Sequence, residues 1–219
     1  MVDNKNWNFD EKAVSWDDDP GRVRLANDIA GAIAEEDILS ADMDILEFGC
    51  GTGLLTLRLA PLVRSLTGVD SSQGMLGILK AKIESQKLVN IKTLLVDPAK
   101  GDLPEGRFSM IICSMVLHHV RETKPLIDQF YRIAAPHGRL CIADLDPEDG
   151  EFHGENDTVF HNGFDRITLS RTLTNAGFED IRYRTVANVT KPRPDGRMGS
   201  FSVFLMIGRS KEVCGARQR

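Results

Sequence analysis

The chain has 219 residues. No apolar run in it approaches the length of a membrane span, which excludes a helix-spanning membrane protein as the working expectation. It has no Cys-x-x-Cys pair. Its four cysteines, Cys50, Cys113, Cys141 and Cys214, are scattered, so neither a thiolate zinc site nor a disulfide frame is expected. Cys50, Cys113 and Cys141 read as small apolar fillers in or beside strands, in a reducing cytoplasm. Excess positive charge is also missing: 27 Lys and Arg stand against 32 Asp and Glu, for a net charge of −5. A basic face for phosphate is therefore not expected, and nucleic acid is not an expected partner. The basic residues near the C-terminus, from Lys191 to Arg219, read as a solvated hairpin and tail. Met1 to Asn6 show no apolar segment behind a basic start, so no signal peptide is read there. No repeat and no low-complexity segment is present. The length suits one α/β domain, 1–219, with a full core.

The most informative stretch present is Asp44-Ile45-Leu46-Glu47-Phe48-Gly49-Cys50-Gly51-Thr52-Gly53. A short apolar run stops in a turn with glycines at alternate places, and Leu54 to Ala60 can start a helix behind it. Strand, glycine turn and helix N-terminus make a nucleotide-type pocket at the carboxyl end of a parallel sheet. A dinucleotide fold asks for Gly-x-Gly-x-x-Gly. Here the pattern is Gly-x-Gly-x-Gly, and Leu54 stands where the last glycine belongs. Glu47, two places before Gly49, would repel a pyrophosphate and attract an ammonium or sulfonium. S-adenosylmethionine (SAM) fits that polarity better than NAD.

On these residues the chain resembles class I SAM-dependent methyltransferases of the small-molecule type, quinone-biosynthesis-like members among them. Glu47 to Gly53 resembles the family's first motif. Leu66-Thr67-Gly68-Val69-Asp70 resembles its second strand, whose terminal acid holds ribose hydroxyls. Ser71-Ser72-Gln73-Gly74-Met75 resembles the helix start that follows, with Met75 against the adenine. Leu95-Val96-Asp97 resembles the end of strand three, and Phe108 to Ser114 strand four, followed by Leu117-His118-His119-Val120. The resemblance covers about 40–145. It implies SAM as cofactor, S-adenosylhomocysteine as product, and Glu47, Gly49, Cys50, Gly51, Gly53, Asp70, Ser71, Met75, Asp97, Pro98 and Ser114 as cofactor-binding residues. One departure stands out. Many relatives read Gly-Asp-Ala after strand three, where this chain reads Val96-Asp97-Pro98-Ala99. Proline lacks a backbone donor, so an adenine contact there falls to the Asp97 side chain or a later amide. Asp97 equally suits a turn residue before Pro98, and Asp70 a helix cap, although Ser71 or Ser72 can cap in its place.

The remaining pattern alternates. Helices are expected at 22–37, 53–60, 72–86, 123–135 and 165–176, the last ended by Gly177. Strands are expected at 44–49, 65–70, 91–96, 108–114, 139–145, 179–189 and 200–208. The fold class is therefore α/β: a Rossmann-like, seven-stranded, mostly parallel sheet with helices on both faces and a C-terminal antiparallel hairpin.

The methyl of a sulfonium is already activated, so transfer is an in-line displacement. The protein chiefly positions the acceptor, worth roughly 7–11 kcal/mol at best. No metal is expected, and a base is needed only for a protonated acceptor. Candidate catalytic bases are His118, His119 and His153, with His161 as a further imidazole. Each can equally be a packed structural ring. The acidic loop 146–164 rises over the site, and its carboxylates read as solvated. Trp7, Phe9 and Trp16 precede the first helix; residues 1–25 are read either as a lid over the acceptor pocket or as an arm docked on the surface. The signatures of DNA amino- and cytosine-C5-methylating enzymes, of protein-arginine methyltransferases and of arsenite methyltransferases are absent. A small-molecule acceptor remains, with no membrane partner. The competing readings are a non-catalytic SAM-binding partner or sensor and an NAD(P) oxidoreductase.

Overall fold

The computed structural model describes residues 8–97, 103–154, 158–193 and 196–211. Pro98, Trp7 and Cys214 therefore lie outside the described residues.

After a short helix α1 (Phe9–Lys12) and a 3-10 turn (Ala13–Asp18) comes α2 (Pro20–Glu35). Asp19 caps α2 by accepting from the Gly21 N–H, and Pro20 occupies the first turn, where no donor is needed. The chain then alternates: β1 (Asp44–Phe48), α3 (Thr56–Leu59), β2 (Ser65–Asp70), α4 (Gln73–Ser85), β3 (Ile91–Leu95), β4 (Phe108–Ser114), α5 (Thr123–Ile133), β5 (Ala134–Leu145), α6 (Arg166–Ala176), β6 (Phe178–Pro192) and β7 (Met198–Ser210).

The seven strands form one sheet in the order β3-β2-β1-β4-β5-β7-β6. The β1–β2, β1–β4, β2–β3 and β4–β5 pairs are parallel. β7 runs antiparallel to both β5 and β6. The order reverses between β1 and β4, so a ligand crevice belongs outside their carboxyl ends.

Strand periodicity splits the core. Ile45, Met110, Ile112, Cys141, Ala143 and Leu205 face one side, where Ile29 and Ile33 of α2 and Leu59 of α3 cover them. Their neighbours Leu46, Phe48, Ile111, Cys113, Ile142 and Phe204 face the other, under Ile127 and Phe130 of α5 and Leu173 of α6. Both faces of the central strands are apolar, as burial under helices on two sides requires. Cys50, Cys113 and Cys141 are buried and unpaired.

Element boundaries shift by a residue or more at several ends, and two of these differences have a clear local cause. The helix expected at 53–60 is α-helical only over Thr56–Leu59, because Gly51 and Gly53 hold left-handed backbone and delay it. The helix expected to reach 135 ends at Ile133, and β5 starts at Ala134. There β5 pairs with β4 at Phe108↔Ala134, and the register shifts before Met110↔Arg139, which absorbs Pro136-His137-Gly138.

Candidate active site at the carboxyl edge of the sheet

The glycine turn is shaped from two sides. Gly49 and Gly53 sit at φ +72° and +84°, and a Cβ on either would stand 2.3 Å from a side-chain carbon, of Val116 and Leu79 respectively. Packing from within therefore demands glycine at both. Gly51, at φ +54°, has nothing within 4 Å of the Cβ position. It presents bare backbone to open space, the feature a closely approaching ligand needs. The Gly49 and Cys50 N–H groups both donate to the Val69 carbonyl, tying the turn to β2.

Asp70 ends β2 beside this turn. Its Oδ2 accepts the Gly51 N–H at 2.8 Å and its Oδ1 accepts the Ser72 N–H at 2.9 Å. Burial raises its pKa, against the lowering effect of those amides and that of Ser71. Ser72, not Asp70, caps α4 by accepting the Met75 N–H at 3.1 Å. Each Asp70 oxygen thus keeps acceptor capacity for a hydroxyl pair. Glu47 lies lower, 2% exposed. The Thr56 hydroxyl donates to its Oε2 at 2.5 Å. Burial pushes its pKa up to about 8, opposed by the Thr56 bond and reinforced by Asp70. Cys50 is buried above Gly68, and burial followed by the charges of Glu47 and Asp70 pushes its thiol well up. Ser71 is exposed, Met75 is buried one turn into α4, and Asp97 and Ser114 are half-buried at the ends of β3 and β4. Every described candidate cofactor residue thus belongs to the same sheet edge or the first turn of α4.

The N-terminal arm docks against this edge. Asp10 Oδ1 accepts from the Ser72 hydroxyl at 2.5 Å and from the Gly74 N–H at 2.7 Å. A Cβ on Gly74 would meet Asp10 backbone at 2.8 Å. Asp17 accepts from the Thr52 hydroxyl at 2.6 Å and pairs with Lys82, which also donates to the Thr52 carbonyl. Phe9 meets Trp16 at 5.9 Å and the edge of His119 at 5.3 Å between centroids. Arg22 stacks over Trp16 at 4.0 Å. The arm therefore reaches from the start of α4, across the glycine turn, to the histidines beyond β4.

Met115 holds φ +55°, rare for a side chain of its size. It turns the chain out of β4 into the single 3-10 turn Leu117–His119. His118 is 1% exposed. Its Nδ1 lies 2.7 Å from Asp144 Oδ1, near the end of β5. His119 Nδ1 lies 2.8 Å from the Thr158 carbonyl. A carboxylate and a carbonyl only accept, so in the neutral rings both Nδ1 atoms carry hydrogen and both Nε2 atoms carry lone pairs. His153 stacks on His118 at 4.7 Å and on His119 at 5.5 Å. Burial first, then His118, lowers His119 to about 4; burial, then His118 and His119, lowers His153 to about 3. One ring nitrogen from each of the three lies within 4.8 Å of the others. The loop after β5 holds this arrangement: the Phe160 N–H donates to the His118 carbonyl and the Phe164 N–H to the Leu145 carbonyl. Three of its described acids have partners. Asp146 pairs with Arg166, Glu151 with Arg193, and Glu148 accepts from the Glu151 and Phe152 N–H groups. His161 stands apart, with its Nε2 3.0 Å from the Val120 carbonyl.

Sequence reasoning overlooked Asp10, Asp17, Thr56 and Asp144 as parts of this edge. Asp144 left a legible signal, a lone acid in the apolar run Leu140-Cys141-Ile142-Ala143-Asp144-Leu145. Asp10 and Asp17 left none, since each acts on residues far away in the chain, and Thr56 left none because its reach to Glu47 depends on where α3 starts.

Residues 45–138 match the family model described as a methyltransferase domain. A fission yeast protein, "Uncharacterized methyltransferase C1347.09", is 28% identical over 153 residues, covering 63% of this chain and 54% of its own. The ubiquinone biosynthesis O-methyltransferase of Coxiella burnetii is 29% identical over 140 residues, covering 63% and 59%. The chain thus spans little more than half the length of these curated relatives. A SAM-dependent methyltransferase of Aquifex aeolicus shares the fold at TM-score 0.67 and 19% identity, over 91% of this chain and 97% of that one. The matched segment, the relatives and the Rossmann-like fold together support the SAM-dependent methyltransferase class. No helix among the described residues is long and apolar enough to cross a membrane.

Proposed function

We propose that this chain binds SAM at the turn Gly49–Gly53 and transfers its methyl group to a small-molecule acceptor by in-line displacement. The observation that carries the reading is the pairing of Gly51, open on its outer face, with the Asp70 carboxylate bonded to the Gly51 N–H. The residues fit the cofactor. Asp70 suits ribose hydroxyls, the Gly49–Gly53 backbone suits the amino-acid moiety, and Glu47 stands beneath the turn as counter-charge for the ammonium. Cys50, Ser71, Met75, Asp97 and Ser114 complete the proposed wall. The bound sulfonium supplies an already activated methyl group. The protein's share is to align the acceptor and exclude water.

His118, His119 and His153 stand on the acceptor side of this edge, under Phe9 and the loop after β5. Burial lowers His119 to about 4 and His153 to about 3, so both rings are neutral but weakly basic at ordinary pH, better suited to hold an acceptor hydroxyl on a ring nitrogen than to remove its proton unaided. We assign the arm to a lid closing the edge, in a single domain with the sheet. The O-methyltransferase among the relatives supports an oxygen acceptor. The buried, unpaired cysteines support work in a reducing compartment such as the cytoplasm.

Isothermal titration with SAM, and with NADH as competitor for the reading, tests binding; release of S-adenosylhomocysteine across a panel of hydroxylated small molecules tests turnover. Asp70→Ala is expected to weaken SAM by about 10-fold or more, the cost of a buried charged hydrogen-bond partner. Undiminished SAM affinity in that variant, or a preference for NADH, overturns the assignment.

A further inference from the structure

Three imidazoles converge at the end of β4, and two of them carry a buried ring nitrogen that meets no partner. We propose that His118, His119 and His153 form a divalent-metal site of the zinc type, with one coordination position left open toward the acceptor side. This departs from the sequence expectation of a metal-free site. As a metal site it stands on its own geometry; only a role for its open position toward an acceptor oxygen rests on the proposed function.

The first support is orientation. The Nε2 atoms of His118 and His153 are buried without a hydrogen-bond partner. Buried polar atoms are rarely left so, and each such atom asks for an explanation. His118 is almost fully buried, and a ring nitrogen sealed from water with no donor facing it costs folding energy unless something is bound there. The second support lies behind the rings. His118 Nδ1–H donates to Asp144 at 2.7 Å, and His119 Nδ1–H to the Thr158 carbonyl at 2.8 Å. A carboxylate or carbonyl on the remote nitrogen fixes tautomer and ring orientation, the arrangement metal-binding histidines use. Asp144 adds a negative charge next to the first ring without being a ligand itself, and its Oδ2 is also buried and unpartnered.

The third support is spacing. Ligand nitrogens on a tetrahedral zinc lie about 2.0–2.1 Å from the ion, hence about 3.3 Å apart. The three rings offer nitrogens within 4.8 Å, so closure takes side-chain rotation of about 1.5 Å at most. His153 supplies that freedom, since it stands on a turn of the loop after β5 while His118 and His119 are fixed by the 3-10 turn. Three neutral imidazoles without a thiolate or carboxylate in the first ring of ligands favour a borderline metal such as zinc over magnesium or calcium, which take oxygen. Three protein ligands leave the fourth place for water or a substrate oxygen.

The test uses the whole chain, stripped with chelator and reloaded. Zn2+ is measured by elemental analysis after dialysis, and Co2+ serves as a spectroscopic probe, because a tetrahedral site gives strong visible bands and a hexa-aquo ion weak ones. One metal per chain is expected, with tetrahedral Co2+ bands. His119→Ala and His153→Ala are expected to lower affinity at least about 100-fold, and Asp144→Asn about 10–100-fold through orientation of His118. Circular dichroism confirms folding of each. His137→Ala, at a surface histidine beside Arg209, is expected to bind as the parent does. Absence of tetrahedral Co2+ bands in the parent protein overturns the proposal, as does affinity unchanged in His119→Ala and His153→Ala. SAM titration of the same samples keeps the two readings apart: loss of metal with SAM affinity intact sinks this proposal alone.

Discussion

The two halves of the sheet's carboxyl edge handle polarity in opposite ways. On the β1–β2 side the functional groups are carboxyls, and each finds donors: Asp70 takes the backbone amides of Gly51 and Ser72, and Glu47 takes the Thr56 hydroxyl. On the β4–β5 side the groups are imidazole rings, and two of their nitrogens meet nothing. In the proposed reading, the first half is a preformed cradle for a cation-bearing nucleoside. The second holds unspent lone pairs, which is a site's chemistry rather than a fold's. The difference teaches where to look for each. A satisfied polar group supports shape, and an unsatisfied buried one points to a ligand.

The largest effect should come from exchanging damage between the halves. Asp70→Ala should remove most SAM affinity and leave Co2+ binding as in the parent, whereas His153→Ala should do the reverse. Titrating both ligands against both variants measures this. If each variant weakens both ligands equally, the halves act as one unit and the contrast fails.

Next in size is the glycine turn. Gly49→Ala and Gly53→Ala place a Cβ 2.3 Å from Val116 and Leu79 on left-handed backbone. Each should cost roughly 2–4 kcal/mol by urea denaturation, the sum of overpacking and strain. Gly51→Ala meets open space, so it should cost only about 1 kcal/mol in stability yet weaken SAM more than its stability loss implies. Equal stability losses at all three would show that packing does not separate them.

The third effect is a pH slope from Glu47. Its pKa rises from 4.5 in the unfolded chain to about 8 in the folded one, so the folded state holds the proton more tightly. The contribution to stability is complete below about 4.5, declines as pH rises, and is gone above about 8. The span is on the order of a few kcal/mol. Glu47→Gln cannot titrate and should flatten that decline in denaturation series across the window. An ammonium held above Glu47 favours its charged form, so SAM binding near neutral pH should release a proton, read as a dependence of binding heat on buffer ionisation enthalpy. A parent protein with no decline, or no buffer dependence, removes Glu47 from the cradle.

The smallest effect concerns the arm. Asp10→Ala removes the acceptor for the Ser72 hydroxyl and the Gly74 N–H. The loss resembles that of a helix cap, about 0.5–2 kcal/mol. It should loosen the arm, read as faster proteolysis ahead of Pro20, and leave metal binding unchanged. An arm as resistant as the parent's would show that Asp17 and Phe9 hold it without Asp10.

Much of the cradle was legible because its parts are close in sequence. Glu47, Gly49, Gly51 and Gly53 fall within seven residues, and Asp70 follows one βα unit later, so the periodic strand pattern and glycine spacing locate them together. The strand assignments hold for the same reason: two apolar faces under helices leave near-continuous apolar runs such as Ser109-Met110-Ile111-Ile112-Cys113. The sequence did not show that Glu47 would be sealed against Thr56, because that depends on the late start of α3. It offered His118, His119 and His153 as separate candidates, each as plausible in a packed core.

What the residues alone determined is the alternating α/β order, the glycine turn at the tip of β1 and the acid at the tip of β2, because local spacing and burial pattern encode them. What only the tertiary structure decided is the company each polar group keeps. His118 meets Asp144 across 26 residues, and Asp10 reaches Gly74 across 64. Such meetings follow from strand order and loop path, which bring distant segments to one sheet edge, and no local pattern records that geometry.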